Sequence, residues 1–109
     1  MKRIILLACI FGFAAALAAT AAEPKETWGH SCAGCHGVDG KGQTNMGKRL
    51  GCKDYTDASV QAALTDDAAI KAVKEGFKNA DGKTVMRPEK ILSDDEIKGL
   101  VAYMRTFKK

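Results

Sequence analysis

Cys32-Ala33-Gly34-Cys35-His36-Gly37 is the stretch on which the reading of the whole chain turns. If residues 26–36 form a helix, positions 32, 35 and 36 share one face of about one turn. Two thiols so placed can each add S–H across one of the two vinyl groups on a porphyrin edge, while the histidine is carried beneath the iron as an axial ligand. Two cysteines three apart with a histidine directly after the second form the attachment pattern of covalent c-type haem. A thioredoxin-like dithiol would use the same cysteines without needing the adjacent histidine. A structural zinc site would need two more ligands, for which only Cys52 and His30 are at hand. The haem reading makes use of every residue in the motif: Cys32 and Cys35 attach one haem c, and His36 binds its iron.

Upstream, residues 1–22 carry Lys2 and Arg3, then an apolar run from Ile4 to about Leu17, and close on small residues. This is the pattern of a secretory signal peptide, with cleavage after Ala21 or Ala22, and it predicts a periplasmic or otherwise exported protein. The competing reading is an uncleaved anchor, since Ile4 to Ala22 has no charge, and only then would the chain be tied to a membrane. Leu6-Leu7-Ala8-Cys9 resembles a lipoprotein cleavage box, but too few apolar residues precede it for an h-region. Residues 23–109 then form one domain, small enough that its own apolar core is marginal. A large flat cofactor would give its short helices something to bury against.

The formal charge of +4 falls to +2 once Lys2 and Arg3 are set aside, and the haem propionates would lower it further. Nothing in so balanced a chain points to nucleic acid. Small size, modest charge and the lack of a long apolar surface stripe predict a monomer. Of the four cysteines, Cys9 lies in the signal and Cys52 is left over from the haem motif. A buried free thiol is the preferred reading of Cys52 over an intermolecular partner.

Along the domain, Pro24 suits a first helical turn. Trp28 lies four residues before Cys32 and reads as a packing anchor, while His30 points away from that face and reads as solvated. Gly37, Gly40 and Gly42 end the first helix in a tight loop. Residues 43–53 read as a polar loop over one haem edge, with Leu50 and Cys52 turned inward. Asp57 or Thr56 caps a short helix over 58–64. Thr65 caps the next, which runs to Glu75 with Ile70, Val73 and Phe77 as its apolar stripe, and Gly76 stops it. Asn79 to Arg87 reads as a turn and loop with Asp81-Gly82 at the tip. Ser93-Asp94-Asp95-Glu96 is a capping box, and Ile97, Leu100, Val101, Met104 and Phe107 repeat at helical spacing behind it, a stripe that should pack on the first helix.

A haem iron has a sixth position to fill. Met46, Met86 and Met104 are the candidates, with His30 and the lysines as outsiders. Met104 sits on the apolar stripe of the last helix, and Met46 lies only ten residues past His36. Met86 lies fifty residues past His36, in a segment between helices long enough to wrap the ring edge, and is the residue chosen. A thioether there raises the potential and closes the site.

The chain resembles the monohaem class I c-type cytochromes over nearly all of residues 23–109. The resemblance is carried by Cys32-Ala33-Gly34-Cys35-His36-Gly37 with Asp39-Gly40-Lys41-Gly42, by Gly76 closing a helix, by Met86 near a proline, and by Leu92-Ser93-Asp94-Asp95-Glu96 with Tyr103 and Arg105. It implies an all-α fold of about three main helices around one haem, the first and last crossing. It implies His36 and Met86 as axial ligands and one-electron shuttling between redox-partner proteins. These would dock transiently at the exposed haem edge, with Gly34 and Gly37 at its rim. Three departures from the family pattern stand out. Pro24 replaces a glycine that many relatives have where the helices cross, so the first helix is shorter. Lys48 stands where a proline carbonyl often holds the proximal histidine. Arg87 intervenes between Met86 and Pro88. The alternative function is a haem protein with an open or labile sixth position, binding a small gas or acting as a weak peroxidase, with Arg87 as its one candidate distal residue.

Overall fold

The computed structural model describes residues 23–109 and the isolated Gly12. The predicted signal peptide and Cys9 lie outside the described residues. Pro24–Thr27 (α1), a π-helical turn over Trp28–Cys32 and Ala33–His36 (α2) follow one another without a gap. Asn45–Leu50 (α3), Ala58–Ala63 (α4) and Asp66–Glu75 (α5) come next. A short hairpin of Phe77–Lys78 (β1) and Thr84–Met86 (β2) leads to the last helix, Asp94–Arg105 (α6).

Residues 26–36 are thus helical as expected, but the segment is not α-helical throughout. Pro24 occupies its first turn, and the amide of Ala33 bonds back five residues to the carbonyl of Trp28. Cys32 has φ −117°, far from the α-helical value of about −63°. Widened turns of this kind concentrate at functional sites, and this one sits directly under the attachment motif.

The caps explain the other helix starts. Asp57, Thr65 and Ser93 each accept a hydrogen bond from a first-turn amide, and Ser93 with Glu96 completes the reciprocal box read from the sequence. Residues 43–53 hold a helix where a loop was expected, because the Thr44 hydroxyl caps α3 by accepting from Gly47 N. Asn79 to Arg87 is also more ordered than expected. The Asn79 carboxamide oxygen accepts from Asp81 N and Lys83 N, which closes the turn. Thr84 and Val85, both β-branched, then suit a strand, and Phe77 pairs with Met86.

Trp28, Ala69, Leu100, Val101 and Met104 form the core, with Ile97 fully buried beside Leu100 on α6. The predicted α6 stripe is thus the inner face, Phe107 included, half-buried against the cluster. First and last helices meet as expected. A Cβ at Gly99 would come within 3.4 Å of Pro24 Cγ, so the small residue at this crossing is on α6. Phe77 leaves the predicted stripe and is 57 % exposed. Gly76 adopts φ +80° and turns the chain before Phe77 can follow Val73 inward. Ala69 takes the inner position instead.

Candidate functional site

The three carbonyls at the end of the attachment motif are each claimed by a donor from elsewhere. Thr44 Oγ1 donates to the carbonyl of Cys35 at 2.7 Å. Gly42 N donates to that of His36 at 2.8 Å, and Trp28 Nε1 to that of Gly37 at 2.8 Å. Trp28 is therefore more than the packing anchor read from the sequence. Spacing placed it on the right face, but only the fold reveals the forward bond to Gly37.

Behind the motif the backbones touch. A Cβ at Gly47 would lie 2.5 Å from the carbonyl oxygen of Gly42, and closer still to that of Cys35. Neither oxygen is on a flexible side chain, so α2 or α3 must move. Gly47→Ala is expected to cost about 1–3 kcal/mol, as overpacking does, read as a lower denaturation midpoint of the purified protein. A wild-type midpoint would mean that α3 shifts freely.

Cys32 and Cys35 are both free and half-buried. Burial, with the Glu89 carboxylate nearby, pushes the Cys32 thiol up to about 11, so it is protonated at neutral pH. Burial pushes the His36 imidazole down, which keeps it neutral and leaves it a lone pair to give a metal. His36 lies between Trp28, at 5.6 Å between ring centroids, and Tyr55, at 5.5 Å and 30°. Its Nδ1 is buried with no hydrogen-bond partner. The carbonyl of Lys48, which stands where a proline carbonyl often holds this histidine in the family, does not accept from it. Lys48 lies inside α3 instead.

These residues fit a haem c. The two thiols and the histidine lie on one continuous helical segment, and the imidazole is neutral and uncommitted to any protein partner. An unpaired buried polar atom costs about 1–3 kcal/mol and calls for a reason such as a redox role. No group of three or more His, Cys, Asp or Glu that could hold a metal ion occurs among the described residues.

Met86 ends β2 and is half-buried. Its relation to the motif runs through the segment that follows it: Glu89 N donates to the carbonyl of Val73 at 2.7 Å, and the Glu89 carboxylate acts on Cys32. Of the other methionines, Met104 is 5 % exposed in the core and Met46 is 44 % exposed on α3. His30 and Arg87 are exposed. Gly34 is exposed, and Gly37 is buried, its carbonyl accepting from Trp28 Nε1. Val38, beside it, is 75 % exposed. Cys52 is half-buried, and burial raises its thiol, with Cys35 contributing.

A small, mostly helical domain whose first helical segment carries two free thiols and a neutral histidine has the architecture of a covalent-haem protein. The chain belongs to the cytochrome c family, whose model, described as Cytochrome c, matches residues 21–108. Among solved structures, the KustC0563 c-type cytochrome is 34 % identical with a TM-score of 0.68, covering 80 % of this chain and 99 % of its own. A tyrosine-to-phenylalanine variant of that cytochrome is 33 % identical with a TM-score of 0.66, over 79 % of this chain and 99 % of its own. No functionally curated protein matches. Family membership carries covalent haem c and haem-based electron transfer as the general function.

Proposed function

We propose that this chain is an exported one-electron carrier with a single haem c attached through Cys32 and Cys35 and ligated by His36 and Met86. When bound, the haem supplies a one-electron couple. Cys32 and Cys35 hold it as thioethers, formed by adding S–H across each vinyl bond with no change of redox state. His36 gives a neutral lone pair from a ring that Trp28 and Tyr55 flank. Met86 closes the sixth position with a soft sulfur, which raises the potential.

The observation that carries this reading is the half-buried, neutral His36 whose buried Nδ1 has no protein partner, on the helical segment that bears both free thiols. Met86 is favoured because Met104 is committed to the core and Met46 faces solvent. Export rests on the signal pattern of residues 1–22. No helix among the described residues is long and apolar enough to cross a membrane. Redox-partner proteins would dock transiently, as to a monomer, at the haem edge beside Gly34 and Val38.

The deciding measurement is the visible spectrum of the reduced, exported protein before and after carbon monoxide. Covalent c-type bands that carbon monoxide leaves unchanged are expected. Absence of those bands would overturn the haem reading. A prompt shift would mean an open or labile sixth position, and with it gas or peroxide chemistry rather than simple electron carriage.

A further inference from the structure

We infer that Gln61 is a positioning residue for the proximal imidazole, acting through Tyr55; the inference rests on His36 being the iron ligand. Gln61 is the one buried residue of α4, at 5 % exposure, and a carboxamide so enclosed must satisfy each polar atom. Its Nε2 donates to the carbonyl of Tyr55 at 2.8 Å and to that of Met104 at 3.0 Å. Its Oε1 accepts from Arg105 Nη1 at 2.8 Å. Arg105 is itself fixed, since Nη1 also donates to the Gln61 carbonyl at 2.7 Å and Nε to Asp66 Oδ1 at 3.0 Å. One guanidinium thereby ties α6 to the end of α4 and the start of α5.

The tie does not stop at the helices. The Tyr55 amide donates to the carbonyl of Gly40, four residues past His36, at 2.9 Å. Tyr55 is thus gripped on both its backbone groups, and its ring stacks on His36. A merely structural amide would latch α4 to α6 through Met104 and Arg105. The bond to Tyr55 adds a path from that latch to the imidazole. Losing it frees the Tyr55 carbonyl and lets the ring tilt or withdraw from His36, changing the packing and polarity around the ligand, which tune a haem potential.

The test is a double-mutant cycle on the haem-loaded protein, comparing wild type, Gln61→Leu, Tyr55→Leu and the double variant. The readouts are midpoint potential and the paramagnetically shifted proton resonances of the His36 ring. Gln61→Leu is expected to change the electron-uptake equilibrium by about threefold, or about 30 mV at 59 mV per tenfold for one electron, and to move the His36 resonances. In the Tyr55→Leu background both effects should vanish. A lower melting temperature with unmoved potential and resonances would leave Gln61 a structural latch only and overturn the inference. A shift that persists undiminished without the Tyr55 ring would overturn it too. Should Gln61→Leu fail to fold, Gln61→Glu keeps an acceptor for Arg105, loses both donors, and runs the same cycle. Absence of c-type bands in the wild type would defeat the haem reading and this inference together. Normal bands with no Gln61 effect defeat the inference alone.

Discussion

Met86→Leu is expected to open the sixth position of the iron while leaving the domain folded. Leucine keeps nearly the volume of methionine, and such exchanges cost less than about 1.5 kcal/mol even in a core. Met86 is only half-buried, and its pairing with Phe77 uses backbone groups that any residue provides. What leucine lacks is the thioether. Sulfur ligation favours the reduced iron, so its loss lowers the potential. Axial-ligand identity spans about 0.8 V across haem proteins, and a fall on the order of 0.1 V or more is the expected result of losing this ligand. The reduced variant should also bind carbon monoxide promptly where the wild type does not. A variant with wild-type potential and no carbon monoxide response would remove Met86 from the ligand set. The exposed Met46 would then be the next methionine to test, since Met104 is committed to the core.

The parts of this fold that could be read in advance are those governed by local rules. Ser93 and Glu96 lie three apart before an apolar stripe, and that spacing alone yields the start and inner face of α6. Thr65 and Gly76 likewise mark the ends of α5. The motif cysteines and His36 were legible because their chemistry demands adjacency in sequence. What escaped depended on partners distant in sequence or on a single turn. Thr44 caps α3 with a hydroxyl that also holds Cys35, a double use that nothing in the polar run 43–53 announces. The hairpin at 77–86 needed two strands too short to carry a period. Phe77 matched the helical spacing of Val73, yet the left-handed turn at Gly76 separates them. Gln61 looked like one polar residue on a short helix, because its three partners come from residues 55, 104 and 105.

Trp28→Ala should cost more stability than any other substitution considered for this chain. The indole is 5 % exposed and lies where the first helical segment meets α6, against Tyr103 at 5.9 Å and Phe107 at 5.1 Å between ring centroids. Truncating a buried tryptophan to alanine costs about 3–5 kcal/mol. A domain of this size holds only about 0.05–0.15 kcal/mol per residue, so a large share of its margin would go. Trp28→Phe separates packing from the hydrogen bond. Phenylalanine keeps an aromatic ring in the cluster but leaves the Gly37 carbonyl with only the longer bond from Gly40 N, at 3.2 Å. The expected loss for that variant is about 1–2 kcal/mol, within the range for a buried group deprived of a partner. Urea denaturation of the haem-loaded proteins measures both. If phenylalanine destabilises as much as alanine, the bond to Gly37 is what holds the end of α2. If phenylalanine costs nothing, the indole acts by volume alone, and the grip on the His36–Gly37 turn falls to Thr44 and Gly42.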